Sequence, residues 1–288
     1  MLNYKKMKLK SLQQYLLVTP QVIVLLLFLV LPIITIIVIS FWDFNGYTMT
    51  PGFTLVNYKD IFSPTYFATY LNNFKFTALV WFFTLVIGFP VAYFLAFHVK
   101  SLRWQIILFL ICTIPFLTSN IIRMISWIPF LGREGILNKA LMSLNLIDAP
   151  LDIFLFSNFS VVLAMVHLYV LFMIVPIFNS MVRIESSLIS AARDAGASGF
   201  QVLKEVIVPL SAPGIAIGSI FIVTLVMGEF ITVRLMSGGQ TSSVGYLMSN
   251  QIRSLQYPLA AANAVILLVI TLAIVVGILR VVDIRKEL

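Results

Sequence analysis

The sequence has little charge and almost no cysteine. Only 10% of its 288 residues are Asp, Glu, Lys or Arg, whereas charged residues make up about 25% of soluble domains. The one cysteine, Cys112, cannot form an intrachain disulfide. The two histidines, His98 and His167, share their segments with no cluster of cysteines or carboxylates, so we predict no metal site. These shortages exclude an ordinary soluble enzyme, a disordered chain and a secreted disulfide scaffold.

Apolar residues are abundant instead. They make up 60% of the chain, and the mean hydropathy is +1.04. They form continuous runs longer than about 18 residues, which is typical of membrane-spanning helices, and they do not alternate as in a β-barrel. We therefore predict an all-α integral membrane protein with one transmembrane domain over residues 1–288. The six predicted spans are residues 18–41, 73–98, 104–127, 157–181, 208–232 and 258–282.

The Lys and Arg residues are unevenly divided between the two sides of the predicted membrane. Cytoplasmic loops of membrane proteins carry an excess of these residues, so the side with more of them faces the cytoplasm. The richer side holds Lys5, Lys6, Lys8, Lys10, Lys100, Arg103, Arg183, Arg193, Lys204, Arg280, Arg285 and Lys286, and the other holds Lys59, Lys75, Arg133, Lys139, Arg234 and Arg253. We therefore predict that both termini are cytoplasmic, and that the net charge of +8 reflects topology and not a nucleic-acid partner.

One predicted cytoplasmic loop, residues 185–207, has well-defined helix boundaries. A short helix is expected over residues 186–195, and Gly196 suits the left-handed position that ends a helix. Ser198, followed three residues later by Gln201, predicts a capping box at the start of a second helix. Pro209 allows a bend where the chain re-enters the membrane, because it lacks a backbone donor.

This loop resembles the "EAA" loop of permease subunits of type I ABC importers. In that family Glu-Ala-Ala is followed, after three residues, by Gly and, after nine more, by Ile-x-Leu-Pro. At the same spacings this chain has Ala191-Ala192, Gly196 and Val206-x-Val208-Pro209. It departs from the family at Ser190, which stands where the family has Glu. The run Ala191–Ser198 and the segment Leu131–Gly135 also look like the spermidine/putrescine branch of the family, and the wider resemblance covers most of the chain.

The resemblance implies a MetI-like permease fold in a bacterial inner membrane, and a role in alternating access. It implies two ABC ATPase subunits, a second and distinct permease, and an extracytoplasmic solute-binding protein as partners. ATP and Mg would be used by the ATPase, so this chain would be non-catalytic and would bind no cofactor. The implied solute is a polyamine such as spermidine or putrescine, with an opine, an amino-acid-like compound or an aminophosphonate as alternatives. We call residues 185–207 the coupling loop. The resemblance implies that residues in this loop and just after it couple to the ATPase, namely Ser190, Ala191, Ala192, Arg193, Asp194, Ala195, Gly196, Val206, Val208 and Pro209.

Ionisable residues inside the spans are candidates for the translocation path, because a charge in the bilayer needs a partner or water. On a continuous helix Glu229 lies about 20° around the axis from Gly218, which belongs to the GxxxG pattern Gly214–Gly218 that favours close helix packing. Arg123 shares a polar stripe with Ser119 and Asn120. Glu229 and Arg123 either face the path or form a structural pair, in which Arg234 is another possible partner for Glu229.

Two other interpretations fit the sequence less well, and His167 has two possible roles. The segment Met236–Gln240 is similar to the signature of ABC ATPases, but the sequence has no phosphate-binding loop, so we predict a glycine-rich turn. An ion-coupled secondary transporter would show internal repeats and several buried acids, and only Glu229 is found here. His167, near the middle of span four, makes either a packing hydrogen bond or a substrate contact.

Cysteine labelling tests the predicted orientation. In a Cys112→Ala background, a membrane-impermeant reagent added from outside should label Gly239→Cys and Lys139→Cys. It should not reach Lys8→Cys or Lys204→Cys, since these lie on the cation-rich side. The reverse labelling pattern would overturn the predicted topology.

Overall fold

The structure is a computed structural model that describes residues 17–282. The predicted cytoplasmic cations at positions 5, 6, 8, 10, 285 and 286 lie outside the described residues. The helices are α1 (Leu17–Ile39), α2 (Val56–Ile61), α3 (Pro64–Tyr93), α4 (Leu102–Thr113), α5 (Asn120–Leu131), α6 (Ile136–Ser143), α7 (Asn158–Val182), α8 (Ser186–Asp194), α9 (Gly199–Val202), α10 (Val208–Met227), α11 (Ile231–Met236), α12 (Val244–Arg253) and α13 (Tyr257–Val281). Strands β1 (Asp43–Phe44) and β2 (Met49–Thr50) form a short antiparallel hairpin.

Several helices contain or adjoin turns of different pitch. Five-residue π-helical turns lie at Leu26–Val30 within α1, at Phe94–His98 after α3, and at Leu203–Ile207 between α9 and α10. Short 3₁₀ turns follow α4 at Ile114–Leu117 and precede α7 at Asp152–Phe154. The π turns at Phe94–His98 and Leu203–Ile207 make the flanking segments continuous, so the long helical runs are Pro64–His98 and Gly199–Met227.

The described residues contain five helices that are long and apolar enough to cross a membrane, or six if one bent pair counts as a single span. The predicted fourth and sixth spans agree with α7 and α13 to within one residue. The second begins earlier than predicted, at Pro64, because hydropathy marks the apolar part of a helix and not its ends.

The third predicted span, residues 104–127, is not one helix in the structure. It is broken after Leu117, and α5 starts in a new direction at an angle of 90°. Pro115 has no N–H and lies in the 3₁₀ turn, and the Thr118 hydroxyl donates to the Pro115 carbonyl at 2.7 Å. Thr118 and Ser119 then adopt extended conformations that a helix does not allow.

The fifth predicted span, residues 208–232, also differs from the structure. The helical run begins nine residues earlier, at Gly199, and ends at Met227. Pro209 lies inside this run, directly after the π turn, and the bend expected there does not end the helix. Gly228 ends the helix, so Glu229 lies outside it and the helical-wheel position predicted for Glu229 is wrong.

The chain divides into two compact units. The smaller unit contains residues up to Ser63 together with 251–266. In it, the Asn57 side-chain amide donates to the Ser40 and Trp42 carbonyls, both at 2.9 Å, which ties α2 to the end of α1. Farther along, the Asn263 amide donates to the Gln251 carbonyl oxygen at 3.2 Å.

The larger unit, residues 64–250 and those from Leu267 onward, is built around α7. Helices α3 and α10 pack on α7 through glycines, because Gly88 and Gly218 leave space for the Met173 side chain. A Cβ on Gly218 would lie 2.7 Å from Met173 Sδ and 3.2 Å from Met173 Cα. The GxxxG pattern therefore does mark a close helix contact, and its partner is α7.

Replacing Gly214 tests this contact. A Cβ there would overlap the Pro176 carbonyl oxygen and lie 2.5 Å from Ser180 Oγ, so Gly214→Ala must push α10 away from α7. We expect the detergent-solubilised protein to lose about 1–3 kcal/mol of stability, measured as a lower melting temperature. Gly277→Ala is the matched control, since no atom lies within 4 Å of its Cβ position and alanine favours a helix. Equal melting temperatures for the two variants would contradict the close contact.

Candidate functional site

The coupling loop has the two short helices that the sequence predicts. Helix α8 ends at Asp194, and Gly196 follows with a φ of +87°, in the left-handed region that favours glycine. The Gly196 N–H donates to the Arg193 carbonyl at 2.8 Å, and the Ala197 N–H donates to the Ala192 carbonyl at 3.0 Å. These two bonds form a Schellman-type end, which sets the direction in which the chain leaves α8.

A reciprocal capping box starts the second helix of the loop. The Gln201 N–H donates to Ser198 Oγ at 3.3 Å, and the Ser198 N–H donates to Gln201 Oε1 at 2.7 Å. Helix α9 begins there and continues through the π turn into α10. The second helix of the loop is thus the first part of a membrane-spanning run, so movement of the loop is carried directly into that run.

The coupling loop is largely exposed, and two large apolar side chains lie on its surface. Leu188 is 48% exposed and Phe200 is 73% exposed. The loop also has a cavity of about 460 Å³, lined by Ala192, Ala195, Gly196, Ala197, Gln201, Val202, Glu205 and Val206. Of the ten predicted coupling residues, Ala192 and Val206 are half-buried, and the others, Ser190, Ala191, Arg193, Asp194, Ala195, Gly196, Val208 and Pro209, are exposed. The surface has the small side chains that allow close approach of another protein.

Glu229 lies in a short non-helical break, residues 228–230, between α10 and α11. Its Oε1 accepts the Thr232 N–H at 2.8 Å, so the carboxylate caps the first turn of α11. Its Oε2 accepts a hydrogen bond from the Tyr169 hydroxyl. Because Tyr169 lies near the middle of α7, the half-buried Glu229 carboxylate reaches the middle of that 25-residue helix.

Arg123 lies on α5, just beyond the break in the third predicted span. It is only 8% exposed, and its guanidinium lies 5.5 Å above the centre of the Phe116 ring. Arg123 Nη2 donates to Asn120 Oδ1 at 2.5 Å. Ser119 is the residue before α5 and has an extended backbone, so the predicted stripe does not run along one continuous helix.

The two charged candidates do not form an ion pair in this structure. Within residues 17–282, no Lys or Arg nitrogen lies within 4.0 Å of the Glu229 carboxylate, so neither Arg123 nor Arg234 is its direct partner here. Tyr169 donates a hydrogen bond to Glu229 and interacts electrostatically with both charges. The structure thus brings Glu229, Tyr169 and Arg123 into one cluster at the middle of α7.

His167 and the glycine-rich turn have local structural roles. His167 Nδ1 accepts the Trp127 indole N–H at 3.1 Å, which is the packing hydrogen bond of the two predicted alternatives. Met236–Gln240 forms a turn in which Gly238 and Gly239 have φ values of +58° and +80°. Gly238 packs against Phe156, where any Cβ would lie 2.6 Å from the Phe156 Cβ.

Two polar residues of this region were missed in the sequence. Tyr169 gave no signal, since a tyrosine in an apolar span is ordinary. Asn73 is 2% exposed, and its side-chain amide donates to the Met227 carbonyl at 3.2 Å and accepts the Val244 N–H at 3.4 Å. The buried amide therefore holds together α3, the end of α10 and the start of α12. An amide within an otherwise apolar run was the available signal for Asn73.

Comparison with known families identifies the chain. Residues 64–285 match the family described as "Binding-protein-dependent transport system inner membrane component". The chain belongs to this family. Since the family consists of inner-membrane transport components, the chain is a multi-pass protein of a bacterial inner membrane.

Curated relatives cover most of the chain. The spermidine/putrescine transport system permease protein PotB of Escherichia coli (strain K12) is 34% identical over 257 residues, which is 88% of this chain and 90% of the relative. PotB of Haemophilus influenzae (strain ATCC 51907 / DSM 11121 / KW20 / Rd) is 30% identical and covers 84% of both chains. Both relatives are named as permease proteins.

Solved structures show the same fold at lower identity. A chain of a bacterial ABC transporter involved in the import of the acidic polysaccharide alginate has a TM-score of 0.76 at 17% identity, covering 98% of both chains. A chain of the MetNI methionine ABC transporter in inward-facing conformations has a TM-score of 0.51 at 18% identity, covering 75% of this chain and 94% of that one. These similarities establish the permease fold alone, because sequence identities this low carry no information about the transported solute.

Proposed function

We propose that this chain is a permease subunit of an ATP-driven importer that carries a polyamine into the cytoplasm by alternating access. The observation that carries the proposal is the 34% identity with spermidine/putrescine permeases over 88% of the chain. The permease fold agrees with it. A separate solute-binding protein delivers the polyamine from outside, and a second, distinct permease completes the membrane path.

The coupling loop receives the ATPase. It has two exposed apolar residues, Leu188 and Phe200, and a cavity lined partly by alanines and Gly196, which suits insertion into a cleft of another protein. Two ATPase subunits bind ATP and Mg, and this chain contributes no catalytic residue. Ser190 is exposed and stands at the position of Glu in the EAA loop that this loop resembles, so the docking surface here relies on shape more than on that charge. Both termini and the coupling loop lie in the cytoplasm.

Gly196→Val tests the coupling role. A β-branched residue at φ +87° costs about 1 kcal/mol or more, so the variant should change the angle between α8 and α9. We expect the reconstituted complex to lose ATP hydrolysis stimulated by the binding protein, while the subunit still inserts into the membrane.

The matched control for this variant is Gly46→Val. Gly46 also has a left-handed backbone, with a φ of +91° and no atom near its Cβ position, but it lies in the β1–β2 turn. Its stimulated hydrolysis should stay at the wild-type level. Wild-type hydrolysis in Gly196→Val would contradict docking at this loop.

The Glu229 cluster forms the part of the path that accepts the cationic solute. A half-buried carboxylate near the middle of α7 provides the negative charge that an ammonium group needs inside a membrane. The rings of Tyr169, Phe172 and Phe116 lie beside it, and aromatic faces attract ammonium groups. Ser119 and Asn120 line the exposed side of the same region, beside Arg123.

A zwitterionic solute is a second candidate, favoured by the buried Arg123. An amine at Glu229 and a carboxylate or phosphonate at Arg123 would use both charges. A relative from Salmonella paratyphi A (strain ATCC 9150 / SARB42), named as a putative 2-aminoethylphosphonate transport permease, is 28% identical over half of this chain. The longer and stronger similarity to spermidine/putrescine permeases favours the polyamine.

Uptake by the reconstituted complex tests the solute and the role of Glu229 together. We expect radiolabelled spermidine or putrescine to enter, and 2-aminoethylphosphonate and amino acids not to enter. Glu229→Gln keeps the α11 cap but removes the charge, so uptake should fall about tenfold or more with a normal yield of complex. Glu134→Gln, which changes an exposed carboxylate between α5 and α6, is the control and should transport normally.

Three other outcomes of this experiment are informative. Entry of the aminophosphonate alone would show that the transported solute is the zwitterion and not the polyamine. A poor yield of complex for Glu229→Gln would show that the carboxylate has a structural role. Normal uptake by Glu229→Gln with a normal yield of complex would show that Glu229 is not part of the translocation path.

A further inference from the structure

Arg123 is a buried cation without a counter-charge in this structure. Its Nε is inaccessible and has no hydrogen-bond acceptor among the described residues. Its polar contact is the neutral amide of Asn120, and its guanidinium otherwise lies over the Phe116 ring. The ion pairs of the larger unit that the structure shows, Arg133–Asp152 and Lys204–Glu205, are both exposed. Burying a guanidinium without a counter-charge costs free energy, so we expect Arg123 to meet an anion at some stage of the transport cycle.

The anion best placed to meet it is Glu229. Tyr169 donates to Glu229 Oε2 and also interacts electrostatically with Arg123, so it is a neighbour of both charges. Aromatic rings lie in the same region. Phe116, beneath Arg123, packs edge-on against Phe172 at 4.9 Å, and Phe172 lies 6.4 Å from the Tyr169 ring. A chain of side-chain contacts through Phe116, Phe172 and Tyr169 therefore connects Arg123 to Glu229.

Both charges also lie next to breaks in their helices. Arg123 is four residues beyond the 90° turn after Leu117, and Glu229 is two residues beyond the end of α10 at Met227. Broken helices change angle at lower cost than continuous ones, because no helical hydrogen bond spans the break. A change of angle at Thr118–Ser119 would move α5, with Arg123, relative to α7.

We propose that Arg123 and Tyr169 are alternative partners of the Glu229 carboxylate, and that their exchange closes and opens this part of the path. In the present conformation Tyr169 holds Glu229 Oε2 and Arg123 is unpaired. In the other conformation of the transport cycle the Arg123 guanidinium replaces the Tyr169 hydroxyl, so that the Arg123–Glu229 ion pair closes the path. The proposal rests on the alternating access of the proposed function, but it does not depend on which solute is carried.

State-dependent cross-linking tests the exchange. The reconstituted complex with its ATPase is prepared in a Cys112→Ala background, with Arg123→Cys and Glu229→Cys in one version and Tyr169→Cys and Glu229→Cys in another. A short thiol cross-linker is applied without nucleotide and after trapping with ATP and vanadate. We expect the two pairs to respond in opposite directions, each with a change in yield of about tenfold. The control pair, Arg133→Cys with Asp152→Cys, should give equal yields in both states.

Charge reversal provides a second test, in which both positions keep a charged side chain. Arg123→Glu and Glu229→Arg should each reduce stimulated ATP hydrolysis by about tenfold or more, because each brings two like charges together. The double variant restores an ion pair with the charges exchanged and should recover much of the lost activity. Glu229→Arg alone also removes the α11 cap, so Arg123→Glu is the more direct of the two single variants.

The outcomes separate this proposal from the proposed function. Cross-linking that does not change with nucleotide, in a complex that imports a polyamine, overturns the exchange and leaves the function intact. Opposite responses of the two cysteine pairs, in a complex that imports no polyamine, support the exchange and overturn the assigned solute. A double charge reversal no better than the single variants, together with unchanged cross-linking, rejects the ion pair.

Discussion

The larger unit depends on the close packing of α7 between α3 and α10. Met173 of α7 occupies space left by Gly88 on one side and Gly218 on the other, and Gly214 brings α10 against the Pro176 carbonyl. In a bilayer there is little hydrophobic gain in bringing two apolar helices together, so contact must come from close van der Waals fit. The glycines allow that fit because they have no side chains, and the fit positions the helix breaks and the loops.

The same packing determines where the charges meet. Helix α10 ends at Met227, well before the α7 terminus that lies on that side, so Glu229 is held beside the middle of α7. The turn after Leu117 brings α5 across α7, where Trp127 donates to His167. Two interrupted helices thus place one acidic residue, Glu229, and one basic residue, Arg123, near Tyr169. Polar groups at such breaks are tolerated in a membrane only where protein or water surrounds them.

A continuous helical run connects the coupling loop to this cluster. The capping box at Ser198 starts the run Gly199–Met227, and Glu229 follows at its other end. A movement at α8 and α9 therefore has a direct mechanical route to the Glu229 break. The π turn at Leu203–Ile207 is the one departure from α geometry in that run, and it lets Pro209 fit without ending the helix.

Local chemistry is what the sequence determined by itself. The apolar runs located the long helices, Gly196 marked the left-handed turn, and the Ser198–Gln201 spacing marked the capping box, because each depends on residues only a few positions apart. Tertiary structure decided the rest. Apolar residues continue on both sides of Leu117 and of Gly228, so hydropathy did not show that the helices break there. Tyr169, the long-range partner of Glu229, lies 60 residues away in the sequence, and only packing brings the two side chains together.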